Sequence, residues 1–220
     1  MNPPLLIDLF CGSFGWSAGW LELGGVSVGF DLEHHDYHGP VPDGAMLVIQ
    51  DVRTLHGRQF KDADLILASP PCTEFSYRAM PWKRAKALPP PVLGIELFNT
   101  CFRIQREASE AAGRPIPLIV ENVRGAQKWV GRSRWNFGSY HLWGDVPALM
   151  PPTLHTKNGG GSWFKVAHNT TSGHGQNPDG RLWHRDPMAA TRGAKRDEAS
   201  ARIAKIPLPL SRHIGRVMKP

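Results

Sequence analysis

Five short apolar runs in the first 120 residues constrain what this 220-residue chain can fold into. They are Leu5–Phe10, Val26–Phe30, Ala45–Ile49, Leu65–Ala68 and Ile116–Val120. Runs this short and this continuous read as strands buried on both faces. After the first, a Gly-containing turn leads into a helix expected from about Ser17 to Leu23. Between the last two, Leu93, Leu97, Cys101 and Ile104 recur at helical spacing over 93–112, and Gly113 closes the pattern. Strands alternating with helices imply a doubly wound, mostly parallel α/β sheet. A final short helix is expected over 211–218, after Ile206–Leu210.

Ligands of open α/β sheets bind just past the carboxyl ends of the strands. Here those ends carry chemistry. The fourth run leads into Ser69-Pro70-Pro71-Cys72-Thr73-Glu74-Phe75-Ser76, where two prolines fix the backbone before a thiol. The fifth runs on into Glu121-Asn122-Val123, a carboxylate behind an apolar strand. A thiolate and a proton-donating carboxyl are the pair needed to add a nucleophile to a pyrimidine ring. Cys101, at a helical apolar position, reads as core, and Cys11 as packing beside the first turn.

The first strand ends in Asp8-Leu9-Phe10-Cys11-Gly12-Ser13-Phe14-Gly15, whose small residues let backbone approach a ligand at a helix N-terminus. Asp31, nineteen residues past Gly12, stands at the next strand end, from which a carboxylate reaches a ribose hydroxyl. Asp51, at the third strand end, is positioned to accept from an adenine amino group.

Pro-Cys-x-x-Phe-Ser followed by Glu-Asn-Val, with Asp-Leu-Phe-Cys-Gly near the start, resembles the DNA cytosine-5 methyltransferase family over residues 5 to about 125. The resemblance implies a Rossmann-like methyltransferase fold that uses S-adenosylmethionine. Cys72 would attack cytosine C6 of a base flipped out of the duplex. Glu121 would donate at N3 and accept from the N4 amino group. Phe10, Gly12, Gly15, Asp31, Asp51, Val52, Pro71 and Leu97 would surround the cofactor, while Ser76, Asn122, Arg124, Arg132 and Arg134 would contact the base. Phe14 stands where the family's middle glycine is usual, and the family's Gln-x-Arg-x-Arg signature is absent.

Charge is uneven along the chain. Residues 157–220 hold 12 Lys/Arg against 4 Asp/Glu, whereas 1–156 hold 14 against 15. A segment of +8 is the electrostatic footprint of phosphate contact, and the expected partner is double-stranded DNA. Lys157, Lys165, Arg181 and Arg185, together with Arg78, Lys83 and Arg84 in a lid expected over 76–91, are the candidate DNA contacts. Residues 1–150 are expected to form the catalytic core, 151–195 a short irregular target-recognition insert, and 196–220 a segment returning to the core. A compact enzyme of the kind carried by bacteriophages, with or without a restriction partner, fits this plan.

An odd number of cysteines without framework spacing suggests a reducing compartment. With neither a signal pattern nor a long apolar run, a cytoplasmic monomer in a bacterial or phage-infected cell is expected, off the membrane. No metal is expected, because the histidines around 34–38 lack a fourth ligand. Two other readings use the same residues: a methyltransferase acting on tRNA, and a catalytically silent nucleic-acid-binding relative. Retention of both Cys72 and Glu121 argues against the latter.

Overall fold

The computed structural model describes residues 2–34, 38–76, 89–150 and 204–220. The lid cations Arg78, Lys83 and Arg84, and the insert cations Lys157, Lys165, Arg181 and Arg185, lie outside the described residues. So does the expected insert, 151–195.

Among the described residues, seven strands form one sheet. They are β1 (Leu5–Leu9), β2 (Val26–Asp31), β3 (Ala45–Ile49), β4 (Leu65–Ala68), β5 (Leu118–Asn122), β6 (Trp135–Phe137) and β7 (Tyr140–Gly144). Their spatial order is β3-β2-β1-β4-β5-β7-β6. The first five are parallel, and β7 pairs antiparallel with both β5 and β6. The fold is thus a Rossmann-like, mostly parallel sheet whose strand order reverses direction between β1 and β4. That reversal opens a crevice at the carboxyl edge, where such sheets hold their ligands.

Four of the apolar runs form strands with both faces covered, whereas β3, at the sheet edge, leaves Met46 and Ile49 exposed, contrary to the expectation of burial on both faces. On one face, α2 (Val92–Ala112) buries Phe98, Cys101, Ile104 and Ala108 against Ile7, Leu9, Ile66, Leu118 and Val120. Gly113 ends α2 in the left-handed conformation, at φ +66°. On the other face, α1 (Gly15–Glu22) and α4 (Leu208–Met218) cover Leu6, Leu65, Leu67 and Ile119 with Trp16, Trp20, Leu210 and Ile214, and the one-turn α3 (Gln127–Val130) lies between β5 and β6 in the chain. Burying a side chain of this size stabilises the fold by about 1.5–3 kcal/mol.

α1 and α4 touch backbone to backbone. A Cβ on Gly19 would lie 2.4 Å from Ser211 C and Arg212 N, so only glycine permits this approach. The Ser211 hydroxyl fills the junction, donating to Trp16 O at 2.6 Å and accepting from Gly19 N at 2.8 Å. Arg212 pairs with Glu22 at the exposed rim.

Besides differences of one or two residues at the ends of β1, β2 and α1, two elements and a hairpin depart from the sequence reading. β5 lies two residues later than expected, at Leu118–Asn122, because β7 supplies partners for Glu121 and Asn122. α4 begins at Leu208 rather than 211, since Pro209 falls in the first turn, where a missing N–H costs nothing. The β6–β7 hairpin was not anticipated. Its signal was present in Trp135-Asn136-Phe137 and Tyr140-His141-Leu142, two strand-like segments around a two-residue Gly138-Ser139 turn, with Gly138 at φ +63°.

Candidate active site

At the carboxyl end of β1 the chain makes a turn that few residues tolerate. Phe10, Gly12 and Phe14 all have positive φ, at 60°, 47° and 54°. Two non-glycine residues in this region store backbone strain that the surroundings must hold in place. The Phe14 ring explains how. A Cβ on Gly29 of β2 would lie 2.6 Å from Phe14 Cε1 and 2.8 Å from Cys11 Sγ. The missing glycine at 14 is thus matched by a glycine in the neighbouring strand, and the ring occupies the vacated space.

Asp31 closes the turn. Its Oδ2 accepts from Gly12 N at 2.8 Å, and its Oδ1 from Leu32 N at 2.8 Å. A Cβ at Gly12 would meet no atom within 4 Å, so the backbone there faces open space. Gly15, by contrast, faces the C-terminal segment: a Cβ would lie 2.7 Å from Ile206 N. Its lack of a side chain serves packing in this structure.

Asp8 was missed as a site residue, although an acid inside Leu5–Phe10 was the available signal. It is buried, and its Oδ2 accepts from Ser17 N and Oγ at 3.2 and 2.7 Å. Desolvation pushes its carboxyl up to about 7, against the opposing effect of the two Ser17 hydrogen bonds. Its Oδ1 is buried with no hydrogen-bond partner.

At the end of β3, Asp51 forms a forked ion pair with Arg53, with Nε–Oδ2 at 3.0 Å and Nη2–Oδ2 at 2.6 Å. Those side-chain bonds to Arg53 hold its carboxyl below the usual carboxylate range. Any adenine amino group would compete with Arg53 for it. Val52, beside it, is fully buried, and Leu97 is buried on α2. A shallow hollow of about 470 Å³ beyond Asp51 is lined by Gln50, Thr54, His56, Arg58 and Gln59. It is too open to enclose a ligand.

β4 and β5 are adjacent, with Ala68 opposite Val120. Cys72 is half-buried four residues past Ala68, and Glu121 is half-buried one residue past Val120. Asn122 joins the two strand ends: its buried Nδ2 donates to Pro70 O at 2.9 Å, and its Oδ1 accepts from Val123 N. Glu74 ties the same loop to α2, accepting from Gly94 N at 2.8 Å. Pro71 is exposed and Ser76 half-buried. Thus the described candidates on β1, β2, β4 and β5 gather on one edge of the sheet.

The arginines are further out. Arg124 is exposed on the turn after β5, and Arg132 is exposed ahead of β6. Arg134 N donates to Leu142 O, and Leu142 faces Glu121 across the ladder, so Arg134 lies two strands from Glu121. Cys11 and Cys101 are buried, and desolvation raises both thiols far above their ordinary range. Only the Cys72 thiol is partly open to solvent.

Fold and site together define an α/β protein with a switch point between β1 and β4, in which a thiol follows β4 and a carboxylate stands on the adjacent β5. The C-5 cytosine-specific DNA methylase family model matches residues 5–133, and the chain belongs to that family. No curated protein matches the chain. Among solved structures, one similar chain is described as a DNA modification methyltransferase encoded within an E. coli prophage. It is 23% identical, with a TM-score of 0.42, over 58% of this chain and 34% of that one. The S. pombe Dnmt2 methyltransferase is 16% identical, with a TM-score of 0.39, over 58% and 36%. The Entamoeba histolytica methyltransferase EhMeth is 13% identical, with a TM-score of 0.44, over 72% and 58%. The chain therefore spans about a third to three fifths of these solved chains.

Proposed function

We propose that this protein transfers a methyl group from S-adenosylmethionine to C5 of cytosine in double-stranded DNA. The observation that carries the reading is the shared edge that holds Cys72 and Glu121, on adjacent strand ends pinned together by Asn122. Cytosine C5 is a poor nucleophile while the ring is aromatic. Addition of the Cys72 thiolate to C6 breaks the aromaticity and makes C5 an enamine carbon. Glu121 supports this step by donating at N3, where charge develops, and its other oxygen accepts from the N4 amino group. Loss of the C5 proton and expulsion of the Cys72 thiolate then restore the ring. The base must leave the stack for Cys72 to reach it.

The residues of the first crevice fit the cofactor. The backbone at Gly12 faces open space, as a close backbone approach requires. Asp31 spends one acceptor site of each oxygen on Gly12 and Leu32. A carboxylate has about four such sites, so two remain for ribose hydroxyls. When bound, S-adenosylmethionine supplies an electrophilic methyl. Phe10, Val52, Pro71 and Leu97 would wall the cofactor.

Asp31→Ala is expected to weaken S-adenosylmethionine binding by about 1–3 kcal/mol, because ribose donors and Gly12 N both lose their acceptor. Asp51→Ala should have the smaller effect, since Arg53 already occupies that carboxylate. Calorimetry on the two variants checks the order.

The deciding experiment incubates the protein with duplex DNA and S-adenosylmethionine and identifies the product nucleoside by mass spectrometry. 5-Methylcytosine is expected. Duplex DNA carrying 5-fluorocytosine should trap a covalent adduct, because no proton can leave C5 after transfer. Methylation of tRNA but not DNA would favour the RNA-directed reading.

A further inference from the structure

Three contacts at Trp16 and Ser69 join parts of the chain that are far apart in sequence. Trp16, in the first turn of α1, is buried, and its Nε1 donates to Ser69 Oγ at 3.0 Å. Its carbonyl accepts from Ser211 Oγ of α4 at 2.6 Å. Ser69 is the first residue past β4, its own N–H donates to Leu9 O of β1 at 3.1 Å, and Cys72 follows three residues later. Pro70 and Pro71 fill the interval, so few backbone torsions separate Ser69 from the thiol.

We propose that Trp16 and Ser69 are positioning residues, which fix where the Cys72 thiol sits and through which docking of α4 reaches the nucleophile. The proposal rests on Cys72 being the nucleophile of the function read above. Each link is short and mostly rigid. Ser211 holds α1 at both Trp16 O and Gly19 N. The indole is locked by burial among Leu6, Leu65 and Ile206. Asn122 holds the loop from the opposite side, through Pro70 O. Ser69 and Pro70 are thus gripped from both flanks, and the half-buried Cys72 follows two residues after Pro70. Neither Trp16 nor Ser69 touches the reacting atoms.

The test uses the full chain and two readouts. The first is the rate at which iodoacetamide alkylates Cys72, which needs neither cofactor nor DNA. Cys11 and Cys101 are buried and hard to ionise, so peptide mapping reads the Cys72 adduct cleanly. The second is the split between kcat and KM for S-adenosylmethionine in methyl transfer. Ser69→Ala should change the alkylation rate by about threefold or more and lower kcat about tenfold, since a misplacement of 1 Å can cost about 100-fold. KM for S-adenosylmethionine should stay within about twofold.

Ser69→Thr, which keeps the hydroxyl, should restore both readouts toward wild type. Trp16→Phe, which keeps a ring but loses the donor, should match Ser69→Ala, and the double variant should be no worse than either single one. If Trp16→Phe fails to fold, the Ser69→Ala and Ser69→Thr pair decides alone. Wild-type values in Ser69→Ala for both alkylation and kcat would overturn the proposal. If the wild-type protein transfers no methyl group, the functional reading fails, and the alkylation arm still decides whether Ser69 positions the thiol.

Discussion

Replacing Cys72 by Ser is expected to remove methyl transfer altogether, by roughly four or more orders of magnitude. The hydroxyl is isosteric enough to leave the loop intact, but it ionises far less readily than a thiol and adds poorly to C6. No other cysteine stands ready to replace it, because Cys11 and Cys101 are both buried. Cofactor affinity should stay within about twofold, since in the proposed mechanism Cys72 works on the base and not on the cofactor. The 5-fluorocytosine adduct should vanish together with activity. Radiolabel transfer and gel-shift trapping check the two outcomes, and an active Cys72→Ser protein would place the nucleophile elsewhere.

Gly19→Ala is expected to destabilise the fold by about 3 kcal/mol, although the change favours the helix itself. Alanine improves helix propensity by up to about 1 kcal/mol. Against that, the new methyl would lie 2.4 Å from two backbone atoms of α4 and 2.5 Å from Ser211 Oγ. Backbone cannot rotate away as a side chain can, so α4 must shift, and overpacking of this kind costs at the upper end of about 1–3 kcal/mol. The Ser211 bonds to Trp16 and Gly19 would be lost with it. Denaturant unfolding checks the stability. Hydrogen exchange across 208–218 distinguishes local release of α4 from general loosening.

Much of the architecture was legible because the β strands of a parallel sheet have to be apolar on both faces. β3 and β4 fell on their expected residues, and α2 was bounded correctly within one residue, since apolar spacing and Gly113 both mark it. The antiparallel half of the sheet was harder to see. β6 is three residues long and mostly exposed, so it has no apolar period to read, and β7 carries His141 and Trp143 among its buried positions. Missing that hairpin also placed β5 two residues too early, because the pairing of Glu121 and Asn122 depends on β7.

The site divided in the same way. Residues on strand ends, such as Asp31, Cys72 and Glu121, could be located from the runs that precede them. The role of Gly15 could not, because Ile206, which it faces, lies near the far end of the chain. Phe14 likewise made sense only beside Gly29, a strand glycine with no local reason to be there. Asn122 and Trp16 act through partners 52 and 53 residues away, and no local pattern signals that pairing.

The junction of α1 with α4 also sets an order of events in the life of the chain. Ser211 lies 192 residues beyond Gly19, so one side of this contact is synthesised long after the other. While the chain is still being translated, Leu6, Leu65 and Trp20 lack the cover later provided by Leu210 and Ile214. Exposed apolar surface of that kind is what chaperones bind and what aggregates. The glycine turn and the Cys72 loop both rest on α1, so neither acquires its final support before residues 204–220 leave the ribosome.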